Sequence, residues 1–96
     1  MTSNTDLVIN PDAERDIQDI LQHTLDTWGD DQVTAYWSVI WEGFQRIRAF
    51  PHIGRRRPKP DERELILRYH TIVYHYRDNT VTILRIVNPR RKRRVQ

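Results

Sequence analysis

Cysteine is absent from all 96 residues, which excludes a disulfide scaffold and a thiolate metal site. Its absence fits a reducing cytosol. Long apolar runs are also missing: none approaches the roughly 20 residues that a membrane-spanning helix needs. The N-terminus, MTSNTD, lacks the basic-then-apolar order of a secretory signal. A soluble, cytoplasmic protein that does not enter a membrane is expected. The histidines are few and scattered (His23, His52, His70, His75), and without cysteine or an i, i+4 pair they compose no metal site. No cofactor motif, internal repeat or second domain is visible. Residues 1–96 therefore read as one small domain with a thin core, carrying a basic tail over 89–96.

Charge is present in abundance and is unevenly placed. The net charge is +3. Residues 11–50 carry three cations (Arg15, Arg46, Arg48) against eight acids, and residues 51–96 carry thirteen cations against four acids. One half is thus acidic and the other strongly basic, an asymmetry that suits an oriented encounter with a charged partner. The densest charge is at the end. Residues 81–87 (VTILRIV) are strand-like and run into Asn88 and Pro89, then into Arg90, Arg91, Lys92, Arg93 and Arg94. Five consecutive cations repel one another without benefit to folding, which points to a polyanionic partner.

The pattern along the chain predicts strand, helix, helix, strand, strand, strand. Asp6, Leu7, Val8 and Ile9 form a short strand. Asn10 and Pro11 open a helix, as N-cap and first helical residue. Ala13, Ile17, Ile20, Leu21, Thr24 and Trp28 make its apolar stripe, and Gly29 stops it. Asp30 or Asp31 caps a second helix whose buried face is Val33, Tyr36, Trp37, Ile40, Trp41, Phe44 and Ile47. Pro51 ends it near Phe50. The short join makes the two helices an antiparallel hairpin.

Residues 51–62 (PHIGRRRPKPDE) read as an exposed basic loop. Three alternating segments follow, over 64–69, 72–76 and 81–86, with Asp78 and Asn79 turning between the last two. In the third segment Thr82, Leu84 and Ile86 share one face. The fold class is α+β: an N-terminal strand, then an antiparallel helix hairpin packed on one face of an antiparallel sheet.

That order, with these residues, resembles the RelE/ParE superfamily of type II toxin–antitoxin toxins over nearly the whole chain. The likeness rests on Asp16, Ile17 and Ile20, then Trp28 with Gly29, and Phe44 with Ile47. It continues through residues 50–55 (FPHIGR), 68–74 (RYHTIVY) and 83–88 (ILRIVN) with the arginines that follow. RelE-like members cut mRNA in the ribosome. ParE-like members share the fold, poison DNA gyrase and are not known as nucleases.

Cleavage by 2′-OH attack needs a base, a cation and an acid. Cleaving relatives tend to place an arginine just before the Ile-Val-Tyr stretch, where this chain has Thr71. They often place a His or Tyr pair after the last strand, where it has Asn88 and Pro89. Arg68, Arg85 and the run 90–94 bind phosphate but supply no acid or base. His70 is either a general base or a turn histidine bonded to backbone.

The resemblance therefore implies a ParE-like inhibitor of DNA gyrase, neutralised by a cognate antitoxin that is ParD-like or of another type. The alternatives are a RelE-like, ribosome-dependent mRNA endonuclease and a non-toxic basic nucleic-acid-binding module. Target or nucleic-acid contact is expected at Arg55, Arg56, Arg57, Lys59, Arg68, Arg85, Asn88 and the tail cations Arg90, Arg91, Lys92, Arg93 and Arg94. Trp37 and Trp41, four apart on one helix, serve either the core or an antitoxin groove rimmed by Arg68, Arg77 and Arg85.

Overall fold

The computed structural model describes residues 5–88. Its elements are β1 (Asp6–Ile9), α1 (Pro11–Trp28), α2 (Asp30–Ala49), β2 (Arg55–Arg56), β3 (Glu62–Ile66), β4 (Thr71–Arg77) and β5 (Thr80–Val87). They form one five-stranded sheet in the order β1-β5-β4-β3-β2. The α+β order expected from the sequence is the one observed, with the helical hairpin on the sheet.

Asn10 and Pro11 open α1 as expected. The Asn10 side chain makes no capping bond, but its backbone carbonyl accepts from the Glu14 N–H at 3.0 Å. The joint between the helices is tighter than the sequence suggests. Gly29, at φ 93°, ends α1 by donating its N–H to the Leu25 carbonyl, and its own carbonyl accepts from Val33 to start α2. The N-cap of α2 is thus Gly29 rather than Asp30 or Asp31. One residue serves two helices because only glycine holds that left-handed φ without a Cβ penalty. Asp30 and Asp31 fall in the first turn, where the helix dipole favours anions.

The core is a single layer between hairpin and sheet. Tyr36, Ile40, Phe44 and Ile47 line α2 at helical spacing and meet Leu65, Ile72, Tyr74, Val81, Ile83 and Ile86, with Ala13 from α1. Each buried aliphatic or aromatic side chain contributes roughly 1.5–3 kcal/mol. The expected apolar stripes are wider than this layer. Trp28 is 70% exposed and Trp41 43% exposed. Trp41 stays on the flank of α2, tilted against Trp37 at 5.9 Å and edge-on to Phe44 at 6.2 Å.

Three features of the sheet depart from the alternation in the sequence. β1 joins β5 in parallel (Leu7 opposite Val81, Ile9 opposite Ile83), so the sheet is mixed at that edge. A two-residue strand, β2, lies inside the expected loop and pairs with β3 (Arg55 opposite Glu64, Arg56 opposite Arg63). Finally, Val73 faces Arg85 while Tyr74 faces Ile83, so Leu84 is an extra residue. This bulge shifts the inward set of β5 from Val81 and Ile83 to Ile86 and breaks the expected grouping of Thr82, Leu84 and Ile86. β3 also starts and stops earlier than the expected 64–69, because the Leu67 N–H donates to the His70 carbonyl and turns the chain.

Candidate functional site

The cations of the basic half fall into separate groups, and the strands dictate which. At the β3–β4 corner the chain leaves β3 at Ile66 and re-enters at Thr71, leaving Arg68, Tyr69 and His70 in the turn. Arg68 is exposed and sits 5.6 Å from the centre of the Tyr69 ring, a cation–π contact. Tyr69 tilts against buried Tyr36 of α2 at 5.9 Å. The Tyr36 hydroxyl and His70 Nδ1 are hydrogen-bonded at 2.8 Å. The partner of His70 is therefore a side chain 34 residues away rather than the neighbouring backbone.

Burial pushes the His70 imidazole below the usual histidine range, and the nearby His23 adds to this. Burial raises the Tyr36 phenol, opposed by a hydrogen bond from the Tyr69 backbone. The neutral forms of both groups are favoured.

Arg85 projects from the bulge in β5 beside α1. Its guanidinium grips Asp16 with two bonds, Nε at 2.8 Å and a second nitrogen at 3.1 Å. The same carboxylate accepts from the Ile86 N–H at 2.8 Å. β1 pairs with β5 only as far as Ile83, so Asp16 supplies the acceptor that the edge of β5 lacks beyond it. The Asp16 carboxylate also holds the Arg85 guanidinium above its ordinary value. Asn88 follows at the end of β5. The tail cations Arg90, Arg91, Lys92, Arg93 and Arg94 lie outside the described residues.

At the opposite edge, Arg55 and Arg57 face Glu62 and Glu64. Arg55 bonds Glu64 at 2.8 Å, and Arg57 bonds Glu64 at 2.8 Å and Glu62 at 3.2 Å. The bonds from Arg55, then those from Arg57, hold the Glu64 carboxyl below the usual range against its burial. Two of the expected contact residues are therefore also the neutralising partners of the β3 carboxylates. The i, i+2 pattern of Arg55 with Arg57 and of Glu62 with Glu64 carries this signal, once the two segments are known to pair.

The adjacent corner is held by Tyr74. Its buried hydroxyl donates to the Pro51 carbonyl at 2.7 Å and accepts from the Gly54 N–H at 3.0 Å. A Cβ on Gly54 would lie 2.7 Å from both that hydroxyl and the Glu64 carbonyl.

The proposed groove residues are spread widely. Arg68 precedes β4 and Arg77 ends it, so the two are roughly 20 Å apart along the strand. Arg77 pairs with Asp61 at 3.3 Å. Trp37 and Trp41 share the flank of α2. Thr71 is 6% exposed and sits across the strands from Ile66 and Val87, with no titratable side chain at either partner position. Among the described residues no three His, Asp or Glu side chains converge as a metal site requires, and no helix is long and apolar enough to cross a membrane.

A solved chain of the chromosomal ParDE TA system from P. aeruginosa shares this fold, with a TM-score of 0.79 over 88% of this chain and 95% of that one, at 22% identity. Toxin ParE1 of Mycobacterium tuberculosis, from strain CDC 1551 / Oshkosh and from strain H37Rv, is 29% identical over 86 residues, which span 86% of this chain and 88% of that toxin. Residues 7–93 match the family described as the ParE toxin of type II toxin–antitoxin system, parDE. The chain belongs to the ParE family of toxins of type II toxin–antitoxin systems.

Proposed function

We propose that this ParE-family toxin arrests growth in the cytoplasm by binding DNA gyrase without cutting nucleic acid, and that its cognate antitoxin, ParD-like or of another type, neutralises it. The carrying observation is Thr71. At the position where cleaving relatives place an arginine, this chain has a buried threonine flanked by Ile66 and Val87. Nor is His70 placed as a free base, since its Nδ1 is engaged by Tyr36. What remains accessible is positive charge, which binds and orients anionic surfaces but transfers no proton.

In this reading the target meets Arg55, Arg56, Arg57, Lys59, Arg68, Arg85, Asn88 and the cations Arg90, Arg91, Lys92, Arg93 and Arg94. The antitoxin covers Trp37 and Trp41, with Arg68, Arg77 and Arg85 at its rim. The partly exposed Trp41 supports this, since an aromatic anchor of that size gains most by burial in an interface.

The test is a gyrase supercoiling assay beside ribosome-programmed mRNA cleavage on one preparation. Inhibited supercoiling with intact message is expected. Cleaved message with normal supercoiling would replace this reading with RelE-like cleavage, which the exposed Arg68 beside an aromatic ring favours. Normal growth on expression, with neither effect, would leave a non-toxic nucleic-acid-binding module.

A further inference from the structure

The loop between β2 and β3 encloses a cleft of about 160 Å³, walled by the loop itself and by His52 and Tyr76. Four cations line it (Arg56, Arg57, Lys59, Arg63) against two acids, Asp61 and Glu62. Both acids are already engaged, Glu62 by Arg57 and Asp61 by Arg77. Among the described residues Arg63 donates only to neutral oxygens, the carbonyls of Gly54 at 2.8 Å and His52 at 3.3 Å. Arg56 and Lys59 are ion-paired with no described residue. Three of the four cations therefore have no carboxylate partner among the described residues.

Two further observations make this more than a solvated basic loop. Arg56 and Arg63 are direct cross-strand partners, and like charges in that register destabilise a strand pair unless an anion lies between them. The loop is also braced in advance. Lys59 is flanked by Pro58 and Pro60, Arg57 N–H donates to the Glu62 carbonyl at 3.0 Å, Glu62 N–H donates to the Lys59 carbonyl at 3.2 Å, and His52 packs edge-on to Tyr76 at 5.5 Å. Order already present in the free protein is not lost again on binding.

We infer that this cleft is a phosphate site that takes the backbone of duplex DNA. An acidic peptide is the weaker occupant. Peptide segments of that kind bind through apolar anchors in pockets, and this cleft is lined mainly by charged and polar groups. A phosphodiester needs only the cations, and guanidinium forks match its oxygens. The inference rests on reading this loop as a contact surface of the toxin and is independent of which enzyme the toxin poisons.

The experiment is fluorescence anisotropy of a short labelled duplex with the full chain, over a salt series, comparing the native protein with Arg56→Gln/Lys59→Gln. Both side chains are exposed, so the double variant keeps its fold, checked by its circular dichroism. Its salt slope should be shallower by about 1 to 2, and its affinity lower by about tenfold. Equal slopes and affinities, or a native chain that binds no duplex, would overturn the inference. So would a variant that loses binding to a labelled poly-glutamate peptide while binding DNA as before. Gyrase supercoiling on the same samples separates the two readings. A shallower slope in a protein that never inhibits gyrase leaves the DNA site standing and removes the gyrase target alone.

Discussion

Tyr74 and Tyr36 are both buried tyrosines whose hydroxyls secure a corner of the chain, one beyond the end of α2 and one near its start. Tyr74 holds backbone on both sides of its oxygen, Pro51 and Gly54, and so fixes the segment that leads into β2 and the basic cleft. Tyr36 holds another side chain, His70, in the turn that presents Arg68. The first clamp contains no group that titrates near neutrality. The second includes an imidazole. One basic surface is thus positioned by a joint indifferent to mild acid, and the other by a joint that responds to it.

The largest blow to the comparison is Gly54→Ala. The added methyl meets a backbone carbonyl and the Tyr74 hydroxyl at once, and neither gives way cheaply. A loss of about 3 kcal/mol is expected, read from the urea midpoint at constant slope. A native midpoint would mean that β2 can lift away and that the corner is not clamped.

Next comes the pair of hydroxyl deletions. Tyr74→Phe should cost about 2 kcal/mol, because it strands two backbone groups, whereas Tyr36→Phe should cost about 1 kcal/mol, because His70 can turn to water. Equal costs would erase the distinction between the two corners.

The smallest effect sharpens the contrast. Burial lowers the His70 value below that of a free imidazole, about 6.5, so the unfolded chain binds the proton more readily. This contribution is complete above about pH 6.5 and is lost as the pH falls from there through the folded value. Denaturation midpoints should therefore decline over that window in the native protein and decline less in His70→Asn. Identical profiles would remove the imidazole from the account.

Much of the architecture was legible because it is local. Asn10 with Pro11, Gly29, Pro51 and the spacing of Tyr36, Ile40, Phe44 and Ile47 each act within a turn or two of helix, so order and type of element followed. What escaped depends on contacts between distant segments. The parallel docking of β1 has no signature in four residues. The bulge at Leu84 lies in the pairing of β5 with β4, and it overrides a clean alternation. Trp28 and Trp41 fit the apolar stripes, yet both stay largely outside the core layer. Of the candidate site, the residue types were legible and their pairings were not. Arg85 was visible as a cation, but Asp16, 69 residues earlier, is what holds it. The same holds for His70 and Tyr36.

The parallel pairing of β1 with β5 also bears on timing. Among the described residues β1 has β5 as its sole strand partner, and Asp16 likewise waits for Arg85 and Ile86. Such distant pairings must absorb the entropy of closing nearly the whole chain before they return any stability. While the nascent chain is still being extended, the hairpin can form but the sheet cannot close. Any product cut short before residue 80 lacks the strand with which both β1 and β4 pair. The toxin fold is complete only once β5 has been made.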